Sequence, residues 1–314
     1  MMDKLVVVTR RTRLADLVAR FNTRAQARFY IEHAGGDFRD YEAEDDTYRH
    51  AVDRVLGELE VGLKTQVLER GLVPTYLFAP TDLVVTVGQD GLVANTAKYA
   101  LGNTLIAVNP DPARFDGVLL PYQVDGVRRA AERVLAGKAR VREVTLAEAR
   151  LDDGQRLLGF NDLFLGAQSH VSARYRIRWG DQEEPQSSSG VLVSTGAGST
   201  GWMSSVFNMA ASIARLGGQP PTPYHGWQWE ERRLMFVVRE PFHSRTSRIA
   251  LTAGWVEEGA ALRVESLMPS GGVIFSDGVE ADRLAFNAGA SATLRAAPEK
   301  ARLAWGESGE PDHA

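Results

Sequence analysis

Leu83-Val84-Val85-Thr86-Val87 runs without a break into Gly88-Gln89-Asp90-Gly91. Consecutive apolar and β-branched residues predict a strand buried on both faces, and the glycine-flanked tetrapeptide predicts a tight turn. Leu92–Leu101 is compatible with a helix, and Leu105–Asn109, ended by Pro110, predicts a second strand. Strand, glycine turn, helix and strand within about 30 residues form a βαβ unit. Its sheet is parallel, with ligands expected outside the carboxyl ends of the strands.

The same alternation extends back to the N-terminus. Leu5–Thr9 predicts a buried strand, and 13–34 a helix with Leu14, Leu17, Val18, Phe21, Ala25 and Phe29 on one face. The acidic, aromatic stretch Gly35–Asp46 reads as an exposed connection. Ala51, Val52, Val55, Leu56 and Leu59 recur at helical spacing, Lys64–Leu68 fits a strand, and Gly71-Leu72-Val73-Pro74 a break. Val124–Ala136 predicts a helix closed by Gly137. From about Val141 the pattern changes to short apolar runs alternating with polar residues, as in Ser172–Trp179, Ser247–Thr252, Ala261–Ser266 and Ser291–Arg295. That pattern predicts a mainly antiparallel, β-rich domain. One helix, about Ser204–Arg215, interrupts it before a proline-containing loop, Gly217–Gln228. The polar tail Glu307–Ala314 is expected to fray.

The chain has 314 residues, a length suited to two domains, and 36 basic against 40 acidic residues. A net charge of -4 leaves no polyanion footprint, so no nucleic-acid partner is expected. There are no cysteines, which excludes disulfides, Cys-ligated zinc, iron–sulfur clusters and thiol catalysis. The six histidines are scattered without metal-ligand spacing, so no protein-held metal is expected. No signal-peptide core or membrane span is visible, and a cytoplasmic protein is the expectation.

Several residues carry possible chemistry. Gly88 and Gly91 allow close approach of backbone to a ligand, and a helix N-terminus favours phosphate. Asp90 between them is a hydroxyl-proton acceptor, a metal ligand or a turn-former. The loop Ser194-Thr195-Gly196-Ala197-Gly198-Ser199-Thr200-Gly201 offers hydroxyl and backbone donors without bulk, suited to a phosphate or ribose, or is simply a flexible surface loop. It lacks the lysine of a Walker A loop. Asn161-Asp162, set between apolar runs, either meets a ligand or ends a strand. Ser276-Asp277-Gly278 reads first as a hairpin turn. His243, Trp202, Trp227 and Trp229 read as structural.

In this order the pieces resemble the NAD kinase family, related to diacylglycerol and sphingosine kinases and more distantly to phosphofructokinases. The family's G-G-D-G-T signature is met by Gly88-Gln89-Asp90-Gly91-Leu92, its V-N by Val108-Asn109, and its N-[ED] pair by Asn161-Asp162. The serine-rich loop carries its G-S-T at Gly198, Ser199 and Thr200. The resemblance is nearest to the mitochondrial-type branch, through Val108-Asn109-Pro110-Asp111-Pro112, Phe164-Leu165-Gly166, Ser188-Ser189-Gly190 and Arg239-Glu240-Pro241. It covers residues from about 4 to about 300.

The resemblance implies a Rossmann-like α/β domain at about 1–138 and a β-rich, sandwich-like domain at about 139–287. A segment at about 288–306 would return to the first domain, with the active site in the cleft between the two. It implies transfer of the γ-phosphoryl of ATP to the 2′-hydroxyl of the adenosine ribose of NAD, with Mg2+ or another divalent cation, in a homodimer or homotetramer. Asp90 falls on the catalytic aspartate. Asn161 and Asp162 fall on the pair that holds the dinucleotide, and Gly88, Gly91, Asn109, Thr195, Gly198, Ser199 and Thr200 on the binding segments. Gln89 and Leu92 depart from the signature: a positive φ at position 89 would strain glutamine, and Leu92 removes a hydroxyl. These departures motivate one alternative, a non-catalytic NAD(P)-binding sensor; a related superfamily kinase for a lipid or other small-molecule hydroxyl is a second.

Overall fold

The computed structural model describes residues 2–221 and 223–306, with Ala281 described by its backbone alone. The tail expected to fray, Glu307–Ala314, lies outside the described residues. The chain divides into two units, Met1–Arg142 with the stretch from Arg302 onward, and Glu143–Ala301. The sequence reading set these boundaries at 138 and about 288. In the structure both fall inside strands, Arg140–Leu151 and Ser291–Trp305, where no linker-like composition marks them.

The first unit is built on parallel strands β1 (Lys4–Thr9), β2 (Lys64–Glu69), β3 (Asp82–Val87) and β4 (Thr104–Asn109), in the order β2-β1-β3-β4. A two-residue strand β5 (Tyr122–Gln123) pairs with β4, as do Arg302 and Leu303 from the end of the chain. Every residue of β3 and β4 is buried, as an uninterrupted apolar run demands when both faces are covered. The flanking helices are α1 (Arg13–Phe21), α2 (Arg24–His33), α3 (Phe38–Glu58), α4 (Asp90–Ala97) and α5 (Val127–Leu135). On one face Leu5, Val7, Leu83, Val85, Ile106 and Val108 pack with Val55 of α3, the α3 C-cap Leu59, and Ala130 and Val134 of α5.

Three expectations are corrected here. The helix expected over 13–34 is two helices, because Asn22 takes a left-handed conformation (φ 65) and the Thr23 side chain caps α2 by accepting from the Gln26 amide. Phe29, expected on the buried face, is 70% exposed, since the break resets the helical phase. Gly35–Asp46 is no exposed connection: Asp37 caps α3 and Phe38 is buried.

The second unit is β-rich. One antiparallel sheet has the order β13-β12-β11-β8-β15-β16. Its strands are β8 (Asp162–Ala167), β11 (Val191–Ser194), β12 (Leu234–Val238), β13 (Ala253–Val256), β15 (Gly272–Ser276) and β16 (Val279–Ala285). The other contains the hairpin β6 (Arg140–Leu151)–β7 (Arg156–Gly159), and β9 (Ala173–Trp179), β10 (Gln182–Ser188), β14 (Leu262–Ser266) and β17 (Ser291–Trp305). Inward residues of the two sheets form one core, with Leu163, Leu165, Val193, Phe236 and Ile274 facing Tyr175, Ile177, Val264 and Leu294. Ser247–Thr252, expected as a strand, pairs with no ladder. The amides of Ala250 and Leu251 donate instead to the Glu184 carboxylate at 3.2 and 2.9 Å. The α-helix of this unit among the described residues, α6 (Trp202–Leu216), matches the expected 204–215. Among the described residues, no helix is long and apolar enough to cross a membrane.

Candidate functional site

In the first unit the sequence-predicted residues gather at the carboxyl ends of β3 and β4. Gly88 follows β3 and donates its amide to Val108 O at 3.2 Å. A Cβ at Gly88 would stand 2.7 Å from Leu92 Cδ2, so the glycine makes room for Leu92. Gln89 has φ -92 and ψ 167, ordinary extended backbone at the N-cap, so the strain considered for this position is absent. Helix α4 begins at Asp90, two residues earlier than expected. A Cβ at Gly91 would meet nothing within 4 Å, so no packing demands a glycine there.

Asp90 is half-buried and faces the loop after β4. Leu119 donates its amide to Asp90 Oδ1 at 2.7 Å, and the neighbouring Val118 amide also favours the charged form of the carboxylate. Burial pushes the Asp90 carboxyl above its usual range; the two amides oppose this and the charge of Asp116 adds to it. A carboxylate of raised basicity, held by a backbone amide at a strand end, can orient a hydroxyl and take its proton.

Asn109 ends β4, the strand paired with β3, and both ends of its side chain are engaged. Its Nδ2 donates to Phe115 O at 3.0 Å and its Oδ1 accepts from the Asp111 amide at 3.0 Å. Asn109 therefore shapes the loop that carries Val118 and Leu119. Tyr48, which the sequence did not single out as polar machinery, links Arg10 to the same strand end. Its hydroxyl donates to Val87 O at 2.8 Å and accepts from the Arg10 amide at 2.8 Å.

In the second unit Asn161 and Asp162 sit where β7 turns into β8. On its carbonyl side the turn is held by the serine-rich loop. Thr195 Oγ1 donates to Phe160 O at 2.6 Å, and the Thr195 amide to Asn161 O at 2.9 Å. A Cβ at Gly198 would lie 2.0 Å from Asn161 O, so only glycine permits this approach. On the N–H side the turn is held by Asp277, whose carboxylate accepts from the amides of Phe160, Asn161 and Asp162 at 3.0, 2.7 and 3.3 Å. Asp277 and Gly278 have φ 54 and 68, the pair of left-handed residues that a tight hairpin requires. The sequence marked the turn; nothing local marked the reach of its carboxylate to a strand 115 residues away.

The Asp162 carboxyl is 6% exposed and, among the described residues, accepts no hydrogen bond. Burial, with the neighbouring Asp277 charge, raises it to about 7. Ser199 is buried, its hydroxyl donating to Gly196 O at 2.7 Å, while Thr200 is exposed just ahead of the N-terminus of α6. Trp202 stacks on Phe164 with centroids 5.6 Å apart, and Arg239 lies 5.3 Å from the Trp202 ring. His243 is exposed, and Trp227 belongs to an apolar cluster with Leu192 and Met203. Among the described residues, no group of three His, Asp or Glu side chains is arranged to hold a metal ion.

No protein-family model matches the chain. Over 127 residues it is 32% identical to an NAD kinase of Heliobacterium modesticaldum, covering 38% of this chain and 44% of the relative. An NAD kinase of Saccharolobus solfataricus is 32% identical over 127 residues, covering 40% and 49% respectively. The matched stretch thus spans less than half the length of each curated relative. Among solved structures, the yeast NADH kinase complexed with NADH is similar with a TM-score of 0.58 at 14% identity, over 98% of this chain and 84% of that one. An NAD kinase from Archaeoglobus fulgidus in complex with ATP gives 0.55 at 14%, over 97% and 94%. The fold is therefore the one these kinases share, an α/β domain and a β-rich domain.

Proposed function

We propose that the chain is an ATP-dependent NAD kinase of the mitochondrial-type branch, transferring the γ-phosphoryl of ATP to the adenosine-ribose 2′-hydroxyl of NAD. The observation that carries this reading is Asp90 itself. It is a carboxylate of raised basicity at the end of a central parallel strand, fixed by the Leu119 amide, and by resemblance it falls on the family's catalytic aspartate. The sequence likeness to two NAD kinases and the shared fold support it.

In this reading Asp90 accepts the proton of the 2′-hydroxyl as its oxygen attacks the γ-phosphorus and ADP departs. The first turn of α4 and Thr200 at the start of α6 would face phosphate oxygens. Asn161 and Asp162 would hold the dinucleotide, and the Asp162 carboxyl, buried without a partner, is the group that a ligand would satisfy. Thr195, Gly198, Ser199 and Asn109 would serve by fixing backbone around these contacts. A divalent cation would arrive on the triphosphate, held by phosphate oxygens, and would neutralise charge during transfer. The reading carries with it a cytoplasmic homo-oligomer.

NADP formation from NAD, ATP and magnesium, with Asp90→Asn as control, is the test. Turnover that collapses in the variant supports the kinase. Dinucleotide binding without turnover would favour the sensor, and absence of both would leave only the fold.

A further inference from the structure

We infer that Asp277 is the positioning residue of the Asn161–Asp162 pair, gripping the amides of their turn and setting the form in which the Asp162 side chain meets a ligand. The inference deepens the dinucleotide-binding reading of that pair and rests on it.

A tight hairpin asks only for residues that tolerate a left-handed backbone, and asparagine or glycine at position 277 would meet that demand. Aspartate does something further here. Three consecutive amides, from Phe160, Asn161 and Asp162, converge on its carboxylate, and its own amide donates to Asp162 O at 3.1 Å. Convergent amides around one carboxylate are charge-assisted and geometrically specific. With Thr195 holding the carbonyl side of the same turn, the backbone is fixed on both sides without using either side chain of the pair. Asn161 and Asp162 are thereby left for a ligand.

The second consequence is electrostatic. Around Asp162, β11 contributes the hydroxyl-bearing Ser194 opposite it, β15 pairs Ser276 with the adjoining Leu163, and β7 ends in Leu158 and Gly159. The charged group acting on Asp162 is Asp277. Burial and a negative neighbour both favour the protonated acid, so below about pH 7 Asp162 presents a donor to an acceptor atom of the dinucleotide. As pH rises, that donor is lost.

The test uses the full chain with Asp277→Asn and Asp277→Gly, both compatible with the hairpin, and Asp162→Asn as a comparison. Carboxyl 13C titration of ligand-free protein follows Asp162, while calorimetry with NAD at pH 6 and pH 8.5 follows binding. In the wild type, NAD affinity should fall as pH rises through about 7. Removing the Asp277 carboxylate should lower the Asp162 midpoint by about one pH unit or more. It should also weaken NAD binding on the order of tenfold to a hundredfold, as expected when a contact is misplaced. Folded variants with unmoved Asp162 titration and unchanged affinity would overturn the inference. So would loss of folding in both Asp277 variants while Asp162→Asn folds, because Asp277 would then be purely structural. If wild-type protein binds no NAD at any pH, the dinucleotide reading fails, and the Asp162 titration still decides whether Asp277 governs that carboxyl.

Discussion

Leu119 donates its backbone N–H to Asp90 Oδ1 at 2.7 Å, so the carboxylate at the end of β3 is held by the loop that follows β4. An amide hydrogen bond of this kind survives replacement of the acid by its amide, because asparagine retains the accepting oxygen. Asp90→Asn should therefore fold with a melting temperature close to wild type and bind NAD within about threefold, while losing the capacity to accept a proton. Turnover should fall by about 10²–10⁴. NADP formation alongside calorimetric NAD binding checks both halves.

Asn109 should act on the same carboxylate from a distance. With its bonds to Phe115 O and the Asp111 amide removed in Asn109→Ala, buried loop groups are left unpaired, costing about 1–3 kcal/mol. The amides of Val118 and Leu119 would then no longer be fixed, and turnover should drop more than the affinity for NAD. Urea denaturation and steady-state kinetics read the two effects. Equal falls in both would point to general loosening of the unit.

Gln89→Gly should give no gain in rate. Glutamine here is at φ -92, so removing its side chain relieves nothing. Turnover within about twofold of wild type is expected, with slightly lower stability because glycine adds freedom to the unfolded chain. Leu92 is the more consequential departure. It fills the space left by Gly88, so Gly88→Ala should destabilise the wild-type background by about 1–3 kcal/mol and cost less beside Leu92→Thr. A double-mutant cycle in denaturant measures that coupling.

Much of this arrangement was legible where one local pattern governed the outcome. Leu83–Val87 and Leu105–Asn109 could only be strands covered on both faces, and a glycine turn between strand and helix located the Asp90 end of the sheet. Local pattern failed where a single residue overrode it. Asn22 breaks a helix whose apolar spacing runs straight through, and Asp37 starts one inside an acidic stretch that reads as loop. Ser247–Thr252 has strand-like alternation, but the buried Glu184 carboxylate takes its amides. Nor was Asp277 visible as part of the site. Asp-Gly between apolar runs announces a hairpin whatever its carboxylate touches, and its partners at Phe160–Asp162 are distant in sequence.

The Asp162 carboxyl makes stability depend on pH in a defined direction. Its folded-state value, about 7, lies above the ordinary 3.8, so the folded chain keeps a proton that the unfolded chain releases. The stabilising contribution is complete below about pH 4, declines as pH rises toward 7, and is gone above it, a loss of a few kcal/mol in all. Asp40 acts in a separate window: Arg114 and Arg13 hold it near 2, so what it contributes is lost as pH falls from about 3.8 toward 2. Melting temperatures from pH 4 to pH 8 should fall in wild type and stay flatter in Asp162→Asn. Parallel curves would remove the buried acid from the account.

Gly198→Ala is the sharpest test of how the serine-rich loop supports the Asn161–Asp162 turn. The added methyl would stand 2.0 Å from Asn161 O, 2.6 Å from its carbonyl carbon and 2.7 Å from Ser194 Oγ, so backbone must separate from backbone. The cost should reach about 1–3 kcal/mol, since no flexible side chain can yield. Displacing the loop also stretches the Thr195 bonds to Phe160 O and Asn161 O, which hold the carbonyl side of the turn. On the proposed reading, NAD affinity should therefore fall even in the folded fraction, while the Leu119–Asp90 hydrogen bond lies in the other unit. Gly57→Ala, in α3 and away from the site residues, is the matched control, because its methyl would meet nothing within 4 Å of the chain. A folded Gly198→Ala protein that binds NAD as tightly as the control would show that the pair needs no such support.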